Sequence, residues 1–261
     1  MSKLAEICAR RRVDVAAEQA ATPAEVLERI VAGMAPARGF RSALIAAGVG
    51  VIAEIKRASP SQGALVASAD AGATARAYAD AGARALSVLT EPHYFGGCRA
   101  DLLAARAAVD IPILRKDFVV DPWQILDARA AGADAVLLIV AELGRDLPRF
   151  LAAARAACVD ALVEVHDRAE LDLAIECGSE TIGINNRNLK DLSIDLSVTE
   201  QLIRHIPPGI VVVAESGIET RTDYARMHRA GADAVLIGSS LMRGGKPGEA
   251  LSALLAPAMA A

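Results

Sequence analysis

One phrase recurs four times along this chain. Ala-Gly-Ala, then a charged residue, Ala and an aliphatic run, stands at residues 81–86, 131–136 and 230–235, with a degenerate copy at Cys177-Gly178-Ser179-Glu180-Thr181-Ile182. Its glycines fall at 82, 132, 178 and 231, a spacing of 50, 46 and 53 residues. A recurrence on this scale marks a chain assembled from repeated units. Each copy closes an Ala-rich helical stretch with a glycine suited to the C′ position and then opens an apolar strand.

Between the copies lie further strand-like runs at 51–56, 113–116, 161–165 and 210–214, which join 86–90, 135–139, 181–185 and 234–238 to make eight. They are short and almost continuously apolar, as parallel strands buried on both faces should be. Residues 49–261 divide into eight parts of about 27 residues, the length of a βα unit. The expected fold is therefore α/β, a (β/α)8 TIM barrel, with an open doubly wound sheet as its competitor. Residues 1–48 remain as an N-terminal helical extension. Thr22-Pro23-Ala24-Glu25 reads there as a helix start with Thr22 as N-cap, Pro23 at N1 and Glu25 at N3. No Ser/Gly-rich linker separates the extension, so 1–261 is expected to form a single domain whose preceding helices cover one end of the barrel.

Composition narrows the function classes. The chain has 261 residues, is 53% hydrophobic and 23% charged, and carries a formal charge of −4. It can bury a large core and lacks the basic surface of a nucleic-acid binder. Only 3% of residues are aromatic, too few for a base-stacking platform. The cysteines at 8, 98, 158 and 177 form no C-x-x-C pair, which favours a reducing cytoplasm over a disulfide framework. The first nine residues, followed by Arg10-Arg11-Arg12, contain no apolar h-region, so no signal peptide is expected. The longest strongly apolar run, 135–141, is too short to span a bilayer.

In a barrel of this kind the chemistry belongs at the C-terminal ends of the strands. Five of the eight ends carry polar groups that a packed interior would exclude. The first strand ends with Glu54-Ile55-Lys56, the third with Lys116, the fifth carries Glu164, the sixth ends at Asn185, and the seventh runs into Glu215-Ser216. Side chains alternate along a strand, so Glu54 and Lys56 share a face and need pairing if that face is interior. A structural ion-pair plug accounts for one such charge as well as function does, but not for five at the same end. Glu215-Ser216-Gly217-Ile218 and Gly238-Ser239-Ser240 place small residues after the last two strands, where barrel phosphate sites are built. Tight turns needing glycine explain one such loop; both together favour a phosphate. The polar loop from Arg57 to Gly63 is either a lid or a plain exposed connection, which composition does not separate.

Other motifs fail. Gly48-Val49-Gly50-Val51-Ile52-Ala53 fits G-x-G-x-x-A but enters a strand instead of following one. No P-loop and no G-x-S-x-G elbow is present, and His93, His166, His205 and His228 lack metal-ligand spacing, so no metal is expected. His166 is expected at a surface helix start, with a place near the mouth, behind Glu164 and Val165, as the alternative, and Trp123 and Gln124 at another helix start.

The strand-end residues resemble a known set. Glu54-Ile55-Lys56-Arg57-Ala58-Ser59-Pro60-Ser61-Gln62-Gly63 is similar to the first-strand signature of the indole-3-glycerol-phosphate synthase family. Leu114-Arg115-Lys116-Asp117-Phe118, Leu162-Val163-Glu164-Val165-His166, Gly183-Ile184-Asn185-Asn186-Arg187-Asn188-Leu189, Ala214-Glu215-Ser216-Gly217-Ile218 and Leu236-Ile237-Gly238-Ser239-Ser240-Leu241-Met242 resemble its later motifs, in order. Two departures are Cys98 where serine is expected and Trp123 where tyrosine is expected.

The resemblance implies ring closure, decarboxylation and dehydration of 1-(2-carboxyphenylamino)-1-deoxyribulose 5-phosphate, with neither metal nor organic cofactor. It assigns Lys116 as general acid and Glu164 to the dehydration, with Lys56 a rival for part of that work. Glu54, Glu215 and Asn185 would orient these groups and contact the sugar hydroxyls, and Ser216 completes the catalytic set. Lys56, Arg187, Gly217, Gly238 and Ser239 would hold the phosphate or the charge near it. Phe95, Phe118, Leu137 and Pro60 would form the slot for the aromatic ring, and Ser59 joins the substrate-binding residues. The expected partner is a phosphorylated small molecule, with no nucleic acid or membrane, for a monomer or weak homo-oligomer. The rivals are phosphoribosylanthranilate isomerase, a Schiff-base aldolase using Lys116, and a phosphate-ligand binder without turnover.

Overall fold

The computed structural model describes residues 2–46, 48–59, 63–64, 69–189 and 191–256. Among them, eight strands close into a parallel barrel: β1 (Gly50–Ile55), β2 (Ala85–Leu89), β3 (Ile113–Lys116), β4 (Ala135–Ile139), β5 (Asp160–Val165), β6 (Thr181–Asn185), β7 (Val211–Glu215) and β8 (Ala234–Ile237). Neighbours in sequence are neighbours in space, and β1 closes the ring against β8 with Gly50 opposite Ala234 and Ala53 opposite Ile237. Observed strand limits lie within one residue of those expected from the apolar runs.

Helices in chain order are α1 (Lys3–Ala21), α2 (Ala24–Ala32), α3 (Phe40–Leu44), α4 (Ala71–Asp80), α5 (Arg99–Ala108), α6 (Trp123–Ala130), α7 (Val140–Leu143), α8 (Leu147–Ala156), α9 (Arg168–Glu176), α10 (Ser197–Leu202), α11 (Arg221–Ala230), α12 (Ser239–Met242) and α13 (Pro247–Leu255). The recurrent glycines end helices as their chemistry suggests. Gly82, Gly132, Gly178 and Gly231 all have positive φ, between 76° and 101°, a region that L side chains enter at a cost.

Alternation along each strand sorts the apolar residues into two layers. Val51, Ala53, Leu86, Val88, Val136, Leu138, Val163, Ile182, Val212 and Val235 face outward and pack under the helices. Ile52, Ala85, Leu114, Ala135, Leu137, Leu162, Val211, Val213, Ala234 and Leu236 face inward and fill the barrel.

The extension covers more than the one end expected of it. Phe40 and Leu44 of α3 join the interior cluster, and Arg41 N–H donates to Asp160 at the start of β5 (2.9 Å), which places α3 across the N-terminal end. Lys3, Leu4 and Ile7 of α1 instead border the cavity at the opposite mouth. The expected cap at Thr22 is also corrected. α1 runs on to Ala21 and takes Thr22 as its own C-cap, with Thr22 N–H on Glu18 O at 2.9 Å. α2 therefore starts at Ala24, with Pro23 as the flanking residue and no side-chain cap. Among the described residues no helix is long and apolar enough to cross a membrane.

Candidate active site

At the C-terminal end of the strands the barrel opens into a cavity of about 1290 Å³, its open mouth included. Lys116, the last residue of β3, projects inward among three carboxylates. Its Nζ lies 3.9 Å from Glu54 Oε2, 3.8 Å from Glu164 Oε2 and 3.5 Å from Glu215 Oε2. These groups come from β1, β5 and β7, whose inward-facing positions end at this level. Lys56, just beyond β1, gives Glu54 a second cation at 2.8 Å, the pairing anticipated from their shared face.

Burial disfavours every one of these charges, and their partners decide which survive. Burial alone would pull the Lys116 ammonium down, but Glu215, Glu164 and Glu54 outweigh it and hold the proton on. Burial would raise Glu54, yet Lys56 and Lys116 keep it below the usual carboxylate range. Glu164 is likewise burdened by burial, but His166 and Lys116 bring it down to about 2. Glu215 goes the other way. Burial and the nearby Glu164 and Glu54 push it up to about 8 against the pull of Lys116, and neither of its buried oxygens has a hydrogen-bond partner among the described residues. The surroundings thus favour the proton on Lys116 and drive the two carboxyls in opposite directions, Glu164 toward ionisation and Glu215 toward protonation.

The backbone makes room for them. Gly183 in β6 sits where a Cβ would overlap the Glu215 carboxylate, and a Cβ on Gly238 would overlap that of Glu54. Beyond β7 the chain turns sharply through Ser216 (φ 66°) and Gly217 (φ 80°). Asn186 fastens this turn, donating from Nδ2 to the carbonyls of Glu215 (3.0 Å) and Ser216 (3.2 Å) and accepting from Thr199 at Oδ1. Asn185 Oδ1 accepts from the Arg187 N–H at 3.0 Å, which sets the loop carrying the Arg187 guanidinium. On the other side of the mouth Phe95 and Phe118 pack with centroids 5.9 Å apart and planes tilted by 36°.

Glu54, Lys56, Phe95, Lys116, Phe118, Leu137, Glu164, Asn185, Arg187, Glu215, Ser216, Gly217, Gly238 and Ser239 all border this cavity. The Ser59 backbone pairs with Gly63 in a short antiparallel ladder. Pro60 lies outside the described residues, as do Ser61 and Gln62. The expectation for His166 is corrected: it does precede a helix, but its ring is largely buried and Nε2 lies 3.3 Å from Glu164 Oε1. Lys3, Leu4, Ile7 and Ser240 also border the cavity; the first three were unreadable because nothing in α1 shows that its N-terminus reaches the mouth. Among the described residues no three His, Cys, Asp or Glu side chains are grouped to hold a metal ion.

The family model for indole-3-glycerol phosphate synthase matches residues 4–254. The indole-3-glycerol phosphate synthase of Azospirillum brasilense is 46% identical over 258 residues, covering 97% of this chain and 98% of its own. That of Rhizorhabdus wittichii is 49% identical over 248 residues, covering 93% and 94%. Among solved structures, the N-acetylmannosamine-6-phosphate 2-epimerase of Clostridium perfringens matches with a TM-score of 0.62 at 14% identity, over 82% of this chain and 96% of that one. Thiamine phosphate pyrophosphorylase from Pyrococcus furiosus gives 0.58 at 17%, over 78% and 92%. At such identities these two speak for the barrel alone. The sequence relatives and the family model cover nearly the whole chain, including every strand whose end enters the cavity, so the chain belongs to the indole-3-glycerol phosphate synthase family.

Proposed function

We propose that the chain converts 1-(2-carboxyphenylamino)-1-deoxyribulose 5-phosphate into indole-3-glycerol phosphate, carbon dioxide and water. The observation that carries this reading is the Lys116 ammonium held among the carboxylates of Glu54, Glu164 and Glu215, beside an aromatic wall.

The ring carbon bearing the carboxylate attacks the ketone carbon, and the carbonyl oxygen gains charge as the bond forms. Lys116 gives that oxygen its proton, a role for which an amine held protonated at neutral pH is suited. Loss of carbon dioxide then leaves its electron pair in the ring and restores aromaticity. The new hydroxyl departs as water after protonation, with Lys56 at the first strand as the second cation in reach. The ionised Glu164 takes the proton lost from the carbon beside nitrogen, which creates the indole double bond. Glu54, Asn185, Glu215 and Ser216 orient these groups and the sugar hydroxyls. Lys56 and Arg187, with the Gly217 and Gly238-Ser239 loops, hold the phosphate, while Phe95, Phe118 and Leu137 clasp the ring. By the family pattern Pro60 completes the ring slot and Ser59 contacts the substrate.

A Schiff-base mechanism fits less well, since a strongly protonated Lys116 is not a free amine nucleophile. Free thiols at the described cysteines fit a cytoplasmic setting. The test mixes the purified protein with this substrate in EDTA and follows indole fluorescence. A rise at a catalytic rate is expected. A flat trace with substrate bound would point to a binder, and a flat trace without binding would sink the proposal.

A further inference from the structure

One titratable group stands directly behind the cavity wall. His166 follows β5, and its side chain is only 11% exposed. Nε2 lies 3.3 Å from Glu164 Oε1 and Nδ1 lies 3.0 Å from Glu170 Oε2. Glu170, in the first turn of α9, also accepts the His166 backbone N–H at 2.8 Å, so ring and backbone of His166 are held by one carboxylate. Nε2 is buried without an aligned hydrogen bond, which makes its approach to Glu164 an ion pair. Glu164 borders the cavity and His166 does not. Carboxylate, imidazole and carboxylate thus form a line from α9 to the reaction space.

We propose that His166, clamped by Glu170, is a positioning residue for Glu164, holding Oε1 on the side away from the cavity and giving that carboxylate a cation of its own. The inference rests on the reading of Glu164 as the base of the dehydration. Its physical reason is a count of charges. Glu54 has Lys56, which leaves Glu164 and Glu215 to share Lys116. Two buried carboxylates cannot both stay ionised cheaply against one ammonium. A positive imidazole on the far side of Glu164 breaks the tie, so Glu164 gives up its proton and Glu215 keeps one. The groups facing Glu164 are His166 on its own segment, Lys116 from β3, Asn185 from β6 and Glu215 from β7, with Glu54 of β1 on the far side of Lys116. Those facing His166 are Glu164 and Glu170. The two carboxylates outweigh burial and push His166 up to about 10, in keeping with a ring that remains charged through neutral pH.

The test uses the full chain with His166→Gln and, separately, Glu170→Gln. Both kcat and KM for the carboxyphenylamino-deoxyribulose phosphate are measured from pH 2.5 to 9, beside thermal unfolding at each pH. Activity that needs ionised Glu164 fails as pH falls through its pKa, and removing the cation raises that pKa. We expect His166→Gln to lower kcat roughly tenfold with KM within about twofold, and to move the acid limb of kcat up by about one pH unit or more. Glu170→Gln should move it in the same direction by less. An unmoved acid limb in both variants overturns the proposal, even if kcat and thermal stability fall together, since that pattern belongs to a scaffold residue. Proton NMR of the ligand-free protein gives a second readout, with the His166 ring signal assigned by its loss in His166→Gln. Titration near the ordinary value of 6.5 overturns the proposal; a ring still charged at pH 8 supports it. If the unsubstituted protein fails to turn the substrate over, the proposed reaction falls, and the NMR titration alone decides the His166–Glu164 pair.

Discussion

Three carboxylates around one ammonium make Lys116 the residue whose loss has the clearest signature. In Lys116→Ala the ketone oxygen loses its proton donor, and kcat should fall by about 10² to 10⁴. Substrate binding should be largely retained, because the loops proposed to hold the phosphate and the proposed ring slot are untouched. Near-normal turnover in this variant would remove Lys116 from the mechanism. Gly183→Ala makes a subtler case: the added methyl overlaps the Glu215 carboxylate and crowds Leu162, in a wall with no space to spare. It should cost roughly 1–3 kcal/mol of stability and lower kcat at least about tenfold, measured by denaturant unfolding and by the fluorescence assay. Wild-type behaviour would mean that Glu215 can move without consequence. The two residues differ in how readable they were. Glu54, Lys116, Glu164, Asn185 and Glu215 stand out because a charge or amide ends a run that is otherwise apolar. Gly183 looks like one more small strand residue, and His166 looks like a surface helix start, since what each touches depends on a neighbouring strand or on the path of a loop.

Strands were easier to read than the elements before them. A buried parallel strand is a short apolar run with abrupt ends, so its limits are visible to within a residue. α1 mixes alanine and scattered aliphatics with charged residues, without a strand-like apolar run, and Arg10-Arg11-Arg12 looks like a solvated charge run. In the fold α1 lies beside the end of β3, and Arg11 is drawn inward. Its side chain is 2% exposed and grips Asp117 through Nε–Oδ1 (3.0 Å) and Nη2–Oδ2 (3.1 Å) while also pairing with Glu18. Asp117 accepts in addition from Arg115 (3.0 Å) and Thr90 (2.9 Å). Since Asp117 stands between Lys116 and Phe118, this buried network ties the extension to the reacting end of β3. Breaking it from one side leaves charge buried with less compensation, so Arg11→Ala should destabilise by about 3 kcal/mol. Arg10→Ala removes a surface ion pair with Asp14 and an exposed hydrogen bond to His93 and should cost under about 1 kcal/mol. Urea unfolding of the two variants checks this, and equal losses would show that Arg11 contributes no more than a surface charge.

For the molecule as a whole, the repeat was legible because every βα unit must end a helix and start a strand with the same chemistry. That the last strand returns to pair with the first is a matter of geometry, which no single unit records. The interior cluster combines Leu4, Cys8, Phe40 and Leu44 of the extension with residues of β1 to β5, β7 and β8, the ground on which we propose that extension and barrel form a single domain. The pH dependence of its stability follows from the groups it buries. Glu54, Asp117 and Glu164 all have carboxyls held below their ordinary 3.8–4.5, with burial outweighed by lysines, arginines and His166. A depressed folded pKa gives stability that is present above the unfolded value and lost as pH falls through the folded one. Each such group contributes a slope of about 1.4 kcal/mol per pH unit, so three approach about 4 kcal/mol per unit below pH 4. The opposite sign holds for raised groups. Glu215, pushed up to about 8 from 4.5, adds stability below 4.5 that is lost as pH rises to about 8. His166, pushed up to about 10 from 6.5, adds stability below 6.5 that is lost as pH rises through about 10. Stability of the ligand-free protein should therefore peak near pH 5, fall steeply on the acid side and decline gradually on the alkaline side. Scanning calorimetry from pH 2 to 10 measures the curve, and Glu215→Gln separates the contributions. That substitution removes the group whose ionisation opposes folding between pH 4.5 and 8, so it should flatten the curve from pH 4.5 to 6.5, leave only the His166 decline above that and keep the acid limb in place. A variant whose curve stays parallel to the original from pH 5 to 8 would mean that Glu215 is already ionised at neutral pH. The two carboxyls would then both be ionised, and His166 would have no tie between them to break.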